Sequence, residues 1–173
     1  MKIEVAKGKP VVYVDMDGVL ADLFNYAATL QNVDHYQKMT DEETEKFFRS
    51  TNAYELFSSI PMFSTANQLL KMVSELAGGY TILSSPLSYD TEGSIRGKRE
   101  WLHKNITVLS DGVIFEKDKA KYAVSADGTP NILIDDWGTN VRNWNAAGGK
   151  AIKYQADEDS FDDLRVKFLS ALT

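Results

Sequence analysis

The sequence predicts an α/β protein with a mostly parallel sheet flanked by helices and a helical insertion after the first strand. Three observations carry this. Short apolar runs rich in β-branched residues alternate with longer stretches of helical periodicity. The first run, Val11-Val12-Tyr13-Val14, is apolar at every position, as a strand buried on both faces requires. Residues 21–63 separate it from the next such unit, more chain than a single crossover uses.

Further strands are expected at Tyr80–Leu83, Gly112–Phe115, Ile132–Ile134 and Lys150–Tyr154. Three of them run into polar pairs: Ser84-Ser85, Glu116-Lys117 and Asp135-Asp136. Ligands of open parallel sheets sit beyond the carboxyl ends of the strands, so these groups are expected along one rim. Helices are expected from Thr65 to about Leu76 with Ser64 as cap and Gly78-Gly79 as stop. Others should span Arg96 to about Lys104, Asp118–Ala126, Thr139–Ala147 and Ser160–Leu172. In the last, Phe161, Leu164, Phe168, Leu169 and Leu172 recur at helical spacing, with Asp162 and Asp163 in the first turn. Residues 21–63 read as a cap over the rim, with helices at Leu20–Leu30 and Asp41–Arg49. Its aromatic set is Phe24, Tyr26, Tyr36, Phe47, Phe48, Tyr54 and Phe57. The core is then 1–20 with 64–173.

Composition sets outer bounds. The 173 residues suit one domain with a small insertion. No cysteine is present, which rules out disulfides and thiolate metal sites. The net charge of −6 disfavours a broad nucleic-acid surface but leaves room for a small anionic substrate held by local groups. Met1–Pro10 lacks the apolar run of a signal peptide, and the longest apolar runs are too short to span a membrane. A cytoplasmic protein without membrane or nucleic-acid partners is expected.

Four short motifs carry chemistry. Asp15-Met16-Asp17-Gly18-Val19-Leu20-Ala21-Asp22 follows the first strand. Carboxylates two positions apart at a strand end point to one side. One can attack phosphorus, and the other can protonate a leaving oxygen and then activate water. Gly18 allows a sharp turn behind them. The hydroxyls and amides of Ser84-Ser85-Pro86 can grip phosphate oxygens. Within Lys117-Asp118-Lys119-Ala120-Lys121 an ammonium can neutralise transition-state charge. Asp135-Asp136 suits magnesium, which takes oxygen ligands from one or two carboxylates and a phosphate. Singly, each motif also reads as a turn or a solvated charge run. Their order along the chain, each after a β-like run, gives them weight together.

That ordered set resembles the four motifs of the haloacid dehalogenase superfamily, whose core is a Rossmann-like parallel sheet. Within it, the stretch Asp15–Asp22, Ser84-Ser85-Pro86, and Ser125-Ala126-Asp127 followed by Ile132-Leu133-Ile134-Asp135-Asp136 resemble the 5′(3′)-deoxyribonucleotidase family. The resemblance implies a magnesium-dependent phosphatase with Asp15 as nucleophile and metal ligand. Asp17 would be the general acid/base, with its backbone carbonyl on the metal. Ser84 and Ser85 would bind phosphate. Asp136 would complete the ligand set, with Asp135 behind it or bridging through water. The motif lysine is Lys119 by the Lys-Asp-Lys string and Lys121 by counting back from Ser125; Lys119 is preferred. The implied substrates are deoxynucleoside monophosphates, with Phe24 as the wall for the base. A homodimer is compatible with the sequence. Alternatives are a phosphatase for another small ester and a non-catalytic binding protein of the same fold. A dehalogenase would have no use for Asp17.

Overall fold

The computed structural model describes residues 8–173. The leader expectation for Met1–Pro10 therefore falls largely outside the described residues. Five strands form one parallel sheet: β1 (Val12–Val14), β2 (Thr81–Ser84), β3 (Gly112–Phe115), β4 (Ile132–Asp135) and β5 (Lys150–Lys153), in the order β3-β2-β1-β4-β5. β1 is central, with Tyr13 in register with Thr81 on one side and Leu133 on the other.

Period-two alternation distributes the apolar strand residues between two cores. Val12, Val14, Ile82, Ile132, Ile134 and Ile152 face the larger one. It is closed by α4 (Ala66–Ala77), α5 (Thr91–Asn105) and α7 (Phe161–Leu172). Tyr13, Leu83 and Leu133 face the smaller one, against Trp144 of α6 (Gly138–Ala146) and Ala123. Burial on both faces explains the unbroken apolar runs of β1 and β4, whereas the edge strands β3 and β5 are more exposed.

Between β1 and α4 lie α1 (Leu23–Leu30), α2 (Asp41–Ser50) and α3 (Ala53–Ser59). A reciprocal Thr40–Glu43 capping box starts α2. No helix is expected from the sequence at α3, which is only seven residues long. It packs along α5 with Ala53, Leu56 and Phe57 in the main core. Gly97 permits the close approach: a Cβ there would lie 2.8 Å from the Tyr54 carbonyl oxygen and 2.9 Å from Phe57 Cβ. Trp101 Nε1 then donates to the Ile60 carbonyl at 2.6 Å, tying α5 to the end of α3.

Several local expectations need correction. Thr65, not Ser64, occupies the N-cap of α4. α5 starts at Thr91, five residues before the expected Arg96, because the Asp90 side chain accepts from Gly93 N and caps it. The expected helix Asp118–Ala126 is a single 3₁₀ turn, Lys119–Tyr122. α1 starts at Leu23 rather than Leu20, since Val19, Leu20 and Ala21 turn back to hydrogen-bond the Met16 carbonyl.

Candidate active site

The order 3-2-1-4-5 reverses between β1 and β4, and a crevice opens at the carboxyl ends of strands at such a point. Asp15 follows β1, Asp135 ends β4 and Asp136 follows it. Backbone pairing holds the two ends together, with Asp15 N donating to the Ile134 carbonyl at 3.0 Å. Gly18 has φ of +82°, and a Cβ there would lie 2.1 Å from Asp136 Oδ2. The turn after Asp17 thus requires glycine on two counts, backbone conformation and the nearness of the Asp136 carboxylate.

Lys119 sits at the centre, 3% exposed. Its Nζ is 2.7 Å from Asp15 Oδ1 and 2.7 Å from Asp135 Oδ2. Burial works against its charge, but Asp15 and Asp135 outweigh this and hold its pKa above the usual lysine range. Lys121, the other candidate, points away and pairs with Glu116 on the surface at 3.0 Å. The 3₁₀ turn sends the two lysines to different sides.

The paired acids of β4 differ in surroundings. Asp135 is fully buried, and besides Lys119 it accepts from Trp137 N at 2.9 Å and from Asn140 Nδ2 at 3.1 Å. Burial and then Asp15 push its carboxyl up to about 6, against the pull of Lys119. Asp136 has no hydrogen-bond partner among the described residues. Its carboxyl is pushed up to about 9 by burial first, then by Asp15, Asp135 and Asp17. Oxygens of Asp15, Asp135 and Asp136 all lie within 4.8 Å of one another. Asp135 has spent its oxygens on protein donors, so Asp15 and Asp136 are the better placed to hold a cation.

A lysine that sequence reasoning passed over completes the cluster. Lys98 of α5 is 1% exposed. Its Nζ donates to Asp17 Oδ2 at 2.8 Å, Ser84 Oγ at 2.8 Å and the Ser85 carbonyl at 2.7 Å. The signal for it is helical spacing: Ser94, Gly97, Lys98 and Trp101 form one buried stripe of α5.

A hollow of about 490 Å³ opens over these groups, walled in part by Asp15, Asp17, Ser85, Lys119 and Asp136, with Phe24, Tyr36, Trp137 and Gln155 around them. Ser85 is on this wall. Ser84 is wholly buried behind it, its hydroxyl under Lys98. Phe24 and Tyr36 have ring centroids 5.8 Å apart. The other aromatics of the insertion lie elsewhere: Phe47 and Phe48 pack on the core, and Tyr54 bonds Glu100. Ser125-Ala126-Asp127 forms a turn before β4, away from the hollow, where Ser125 Oγ bonds Asn131 Oδ1 at 2.9 Å. A larger hollow of about 610 Å³ lies at the amino ends of β1, β2 and β3. Among the described residues its charged lining groups are Lys9 and Asp111 alone, which offer no comparable chemistry.

A central β1 ending in one acid pair, a lysine bridge and a second acid pair on β4 define a hydrolase of the haloacid dehalogenase type. The chain belongs to the family described as 5′ nucleotidase, deoxy (pyrimidine), cytosolic type C protein, whose pattern it matches over residues 9–167. No curated protein matches the sequence. Among solved structures it is similar to a hydrolase from Streptococcus pneumoniae TIGR4, with 16% identity, 93% of this chain and 98% of that one covered, and a TM-score of 0.55. It is also similar to a HAD-superfamily hydrolase from Ehrlichia chaffeensis, with 17% identity, 97% and 100% covered, and a TM-score of 0.52. A third is a HAD family enzyme from Bacteroides thetaiotaomicron, solved with magnesium and inorganic phosphate: 15% identity, 91% and 99% covered, TM-score 0.50. At these identities the likeness speaks to the fold. Among the described residues no helix is long and apolar enough to cross a membrane.

Proposed function

We propose that this protein hydrolyses deoxynucleoside monophosphates through an aspartyl-phosphate on Asp15, with magnesium as cofactor. The observation that carries the reading is the Lys119 ammonium clamped between Asp15 and Asp135, on the same rim as Asp17 and Asp136. Lys119 fixes one Asp15 oxygen and lies where a transferring phosphoryl group gathers negative charge. Attack by Asp15 forms a P–O bond as the ester P–O bond breaks. Asp17 donates a proton to the departing oxygen. Asp17 then takes a proton from water, whose oxygen displaces Asp15 and releases phosphate. Ser85, on the wall of the hollow, would hold phosphate oxygens through its hydroxyl or its amide.

The donor set fits magnesium. Four carboxylates share the rim with two ammonium groups, and Asp136 keeps its proton in the absence of a further cation. Asp15 and Asp136 would hold the ion, with the Asp17 backbone carbonyl, and Asp135 would steady Asp15 through Lys119. When bound, magnesium supplies positive charge to the acids and polarises the phosphoryl oxygens.

Residues 21–63 serve as the cap that reads the leaving group. α3 anchors the segment on α5, and Phe24 with Tyr36 brings aromatic surface to the hollow. A nucleobase stacked there would gain about 1–3 kcal/mol. Such a protein would act in nucleotide metabolism in the cytoplasm. The test is a hydrolysis panel of nucleoside monophosphates, sugar phosphates and p-nitrophenyl phosphate, with and without magnesium. Deoxynucleoside monophosphates should give the highest kcat/KM, and Phe24→Ala should raise KM for them about 10-fold while moving p-nitrophenyl phosphate less than 3-fold, the scale of one lost stacking contact. A sugar phosphate that outperforms every nucleotide would overturn the substrate assignment.

A further inference from the structure

We infer that Lys98 is a positioning residue for Asp17: it grips the carboxylate and fixes its orientation for proton transfer to the leaving group and then from water. The inference rests on the acid–base role proposed above for Asp17. It starts from a lysine that is costly to the fold. Lys98 is buried to 1% exposure in the middle of α5, where an apolar side chain of the same length would pack without desolvating a charge. All three ammonium protons are spent, on Asp17 Oδ2, Ser84 Oγ and the Ser85 carbonyl. The Phe57 ring lies 4.8 Å from Nζ on a further side. Of these partners Asp17 alone carries charge, and it comes from the turn after β1, 81 positions away in the chain.

Asp17 itself supplies the second observation. Its Oδ2 is held by Lys98, whereas Oδ1 is buried and has no hydrogen-bond partner among the described residues. Buried carboxylate oxygens are rarely left so, and each instance calls for an explanation. Asp17 forms part of the wall of the hollow that Asp15 also lines, so its carboxylate borders the space a ligand would fill. A carboxylate without the Lys98 contact is free to rotate about its Cβ–Cγ bond. The Lys98 grip removes that freedom before substrate arrives, which is how a proton-transferring group is preorganised.

The positions of α3 and α5 make the grip rigid. Gly97, the neighbour of Lys98, sits against the backbone of α3, so the helix carrying the lysine cannot slide without displacing Tyr54 and Phe57. The inserted segment thereby supports a side chain of the reaction centre without touching substrate through that helix.

The experiment compares two esters that differ in their need for a proton. p-Nitrophenyl phosphate releases a stable phenolate unaided, whereas benzyl phosphate releases an alkoxide that must be protonated; neither has a base. Leaving-group release is followed in the first turnover, before water attack matters, in wild type, Lys98→Met, Lys98→Gln and Asp17→Asn. Both Lys98 variants should slow benzyl phosphate about 100-fold, the scale of lost general acid catalysis, and p-nitrophenyl phosphate less than 3-fold, with KM little changed. Lys98→Met should cost nothing further in an Asp17→Asn background. Equal losses on the two esters, or none, would overturn the assignment, as would loss of the folded circular dichroism spectrum in both variants, which would make Lys98 a structural residue. Bias in Asp17→Asn but not in the Lys98 variants would refute only the inference. Absence of bias in Asp17→Asn would refute the acid–base reading beneath it. The nucleotide panel bears on neither.

Discussion

Replacing Lys119 by Met keeps the aliphatic stem and removes the ammonium from between two buried acids. At an effective dielectric constant near 20, each 2.7 Å contact is worth about 6 kcal/mol of gross Coulomb attraction. Desolvation of three buried ions cancels most of this. What the variant feels is the cost of leaving Asp15 and Asp135 facing each other unpaired, about 3–5 kcal/mol for a broken buried pair. In a chain of this size about 2–4 °C of Tm is lost per kcal/mol, so the metal-free variant should melt roughly 6–20 °C below wild type. Turnover should fall on the order of 100- to 1,000-fold through loss of transition-state charge stabilisation. Lys121→Met is the matched control: its Glu116 partner lies at the surface, where an ion pair adds little, and both Tm and kcat should stay near wild type. Calorimetry and phosphate release on the two variants read both quantities. A Lys119→Met enzyme within threefold of wild-type kcat, or a larger loss in Lys121→Met, would show that the lysine between the acids is structural and the argument from its position wrong.

The other expectations concern the acids. Asp15→Asn should keep its fold and lose roughly 10⁴-fold or more in turnover, the scale seen when a covalent nucleophile is removed; activity near wild type would exclude the phosphoenzyme. Chelation should abolish hydrolysis and magnesium restore it. Asp136→Ala should weaken magnesium affinity in titration calorimetry far more than Asp135→Ala; the reverse order would make Asp135 the ligand. A pH dependence follows from Asp136, whose carboxyl is raised in the folded, metal-free protein from an ordinary 3.8 to about 9. The folded state then binds the extra proton between those values, so the stabilisation is full below about pH 4 and is lost as pH rises through 9. The slope cannot exceed about 1.4 kcal/mol per pH unit for one proton. In a chelator, Tm should fall from pH 6 to 9, and Asp136→Asn should flatten the fall; a metal-free Tm that rises over that range contradicts the crowded-acid description.

The strands and the order of the motifs were legible because both rest on local chemistry. An apolar run stopped by a carboxylate pair reads the same in sequence and in space, as Val12–Val14 before Asp15 and Ile132–Ile134 before Asp135 demonstrate. The helical boundaries were less so. The first turn of α5 contains Thr91, Gly93 and Ser94, weak helix formers held in place by the Asp90 cap. α3 is too short for periodicity to stand out, and its Phe57 read as one of many aromatics over the rim although it is a core residue of 2% exposure. Lys98 was hidden by company: beside Arg96 and Arg99 it looks like part of a solvated basic face. Only the buried positions on either side, Ser94, Gly97 and Trp101, betray that this lysine points inward.

The two buried lysines divide the charge of the rim, and the topology dictates how. Lys98 reaches Asp17 and Ser84 from α5, on the face of the sheet that holds the larger core. Lys119 reaches Asp15 and Asp135 from the turn after β3, beside the smaller core on the other face. Asp15 and Asp17, two residues apart on the strand end, are thus clamped from different elements and cannot exchange partners by rotating toward each other. Each clamp leaves its acid with one oxygen not spent on a lysine. Among the described residues Asp136 receives no lysine, and the proton its raised carboxyl keeps stands in for the charge the rim still lacks. A divalent cation at Asp15 and Asp136 would release that proton and restore balance without disturbing either clamp. On the function proposed above, the arrangement would separate the duties of three acids by what holds each one: attack by Asp15, proton transfer by Asp17, cation binding shared with Asp136.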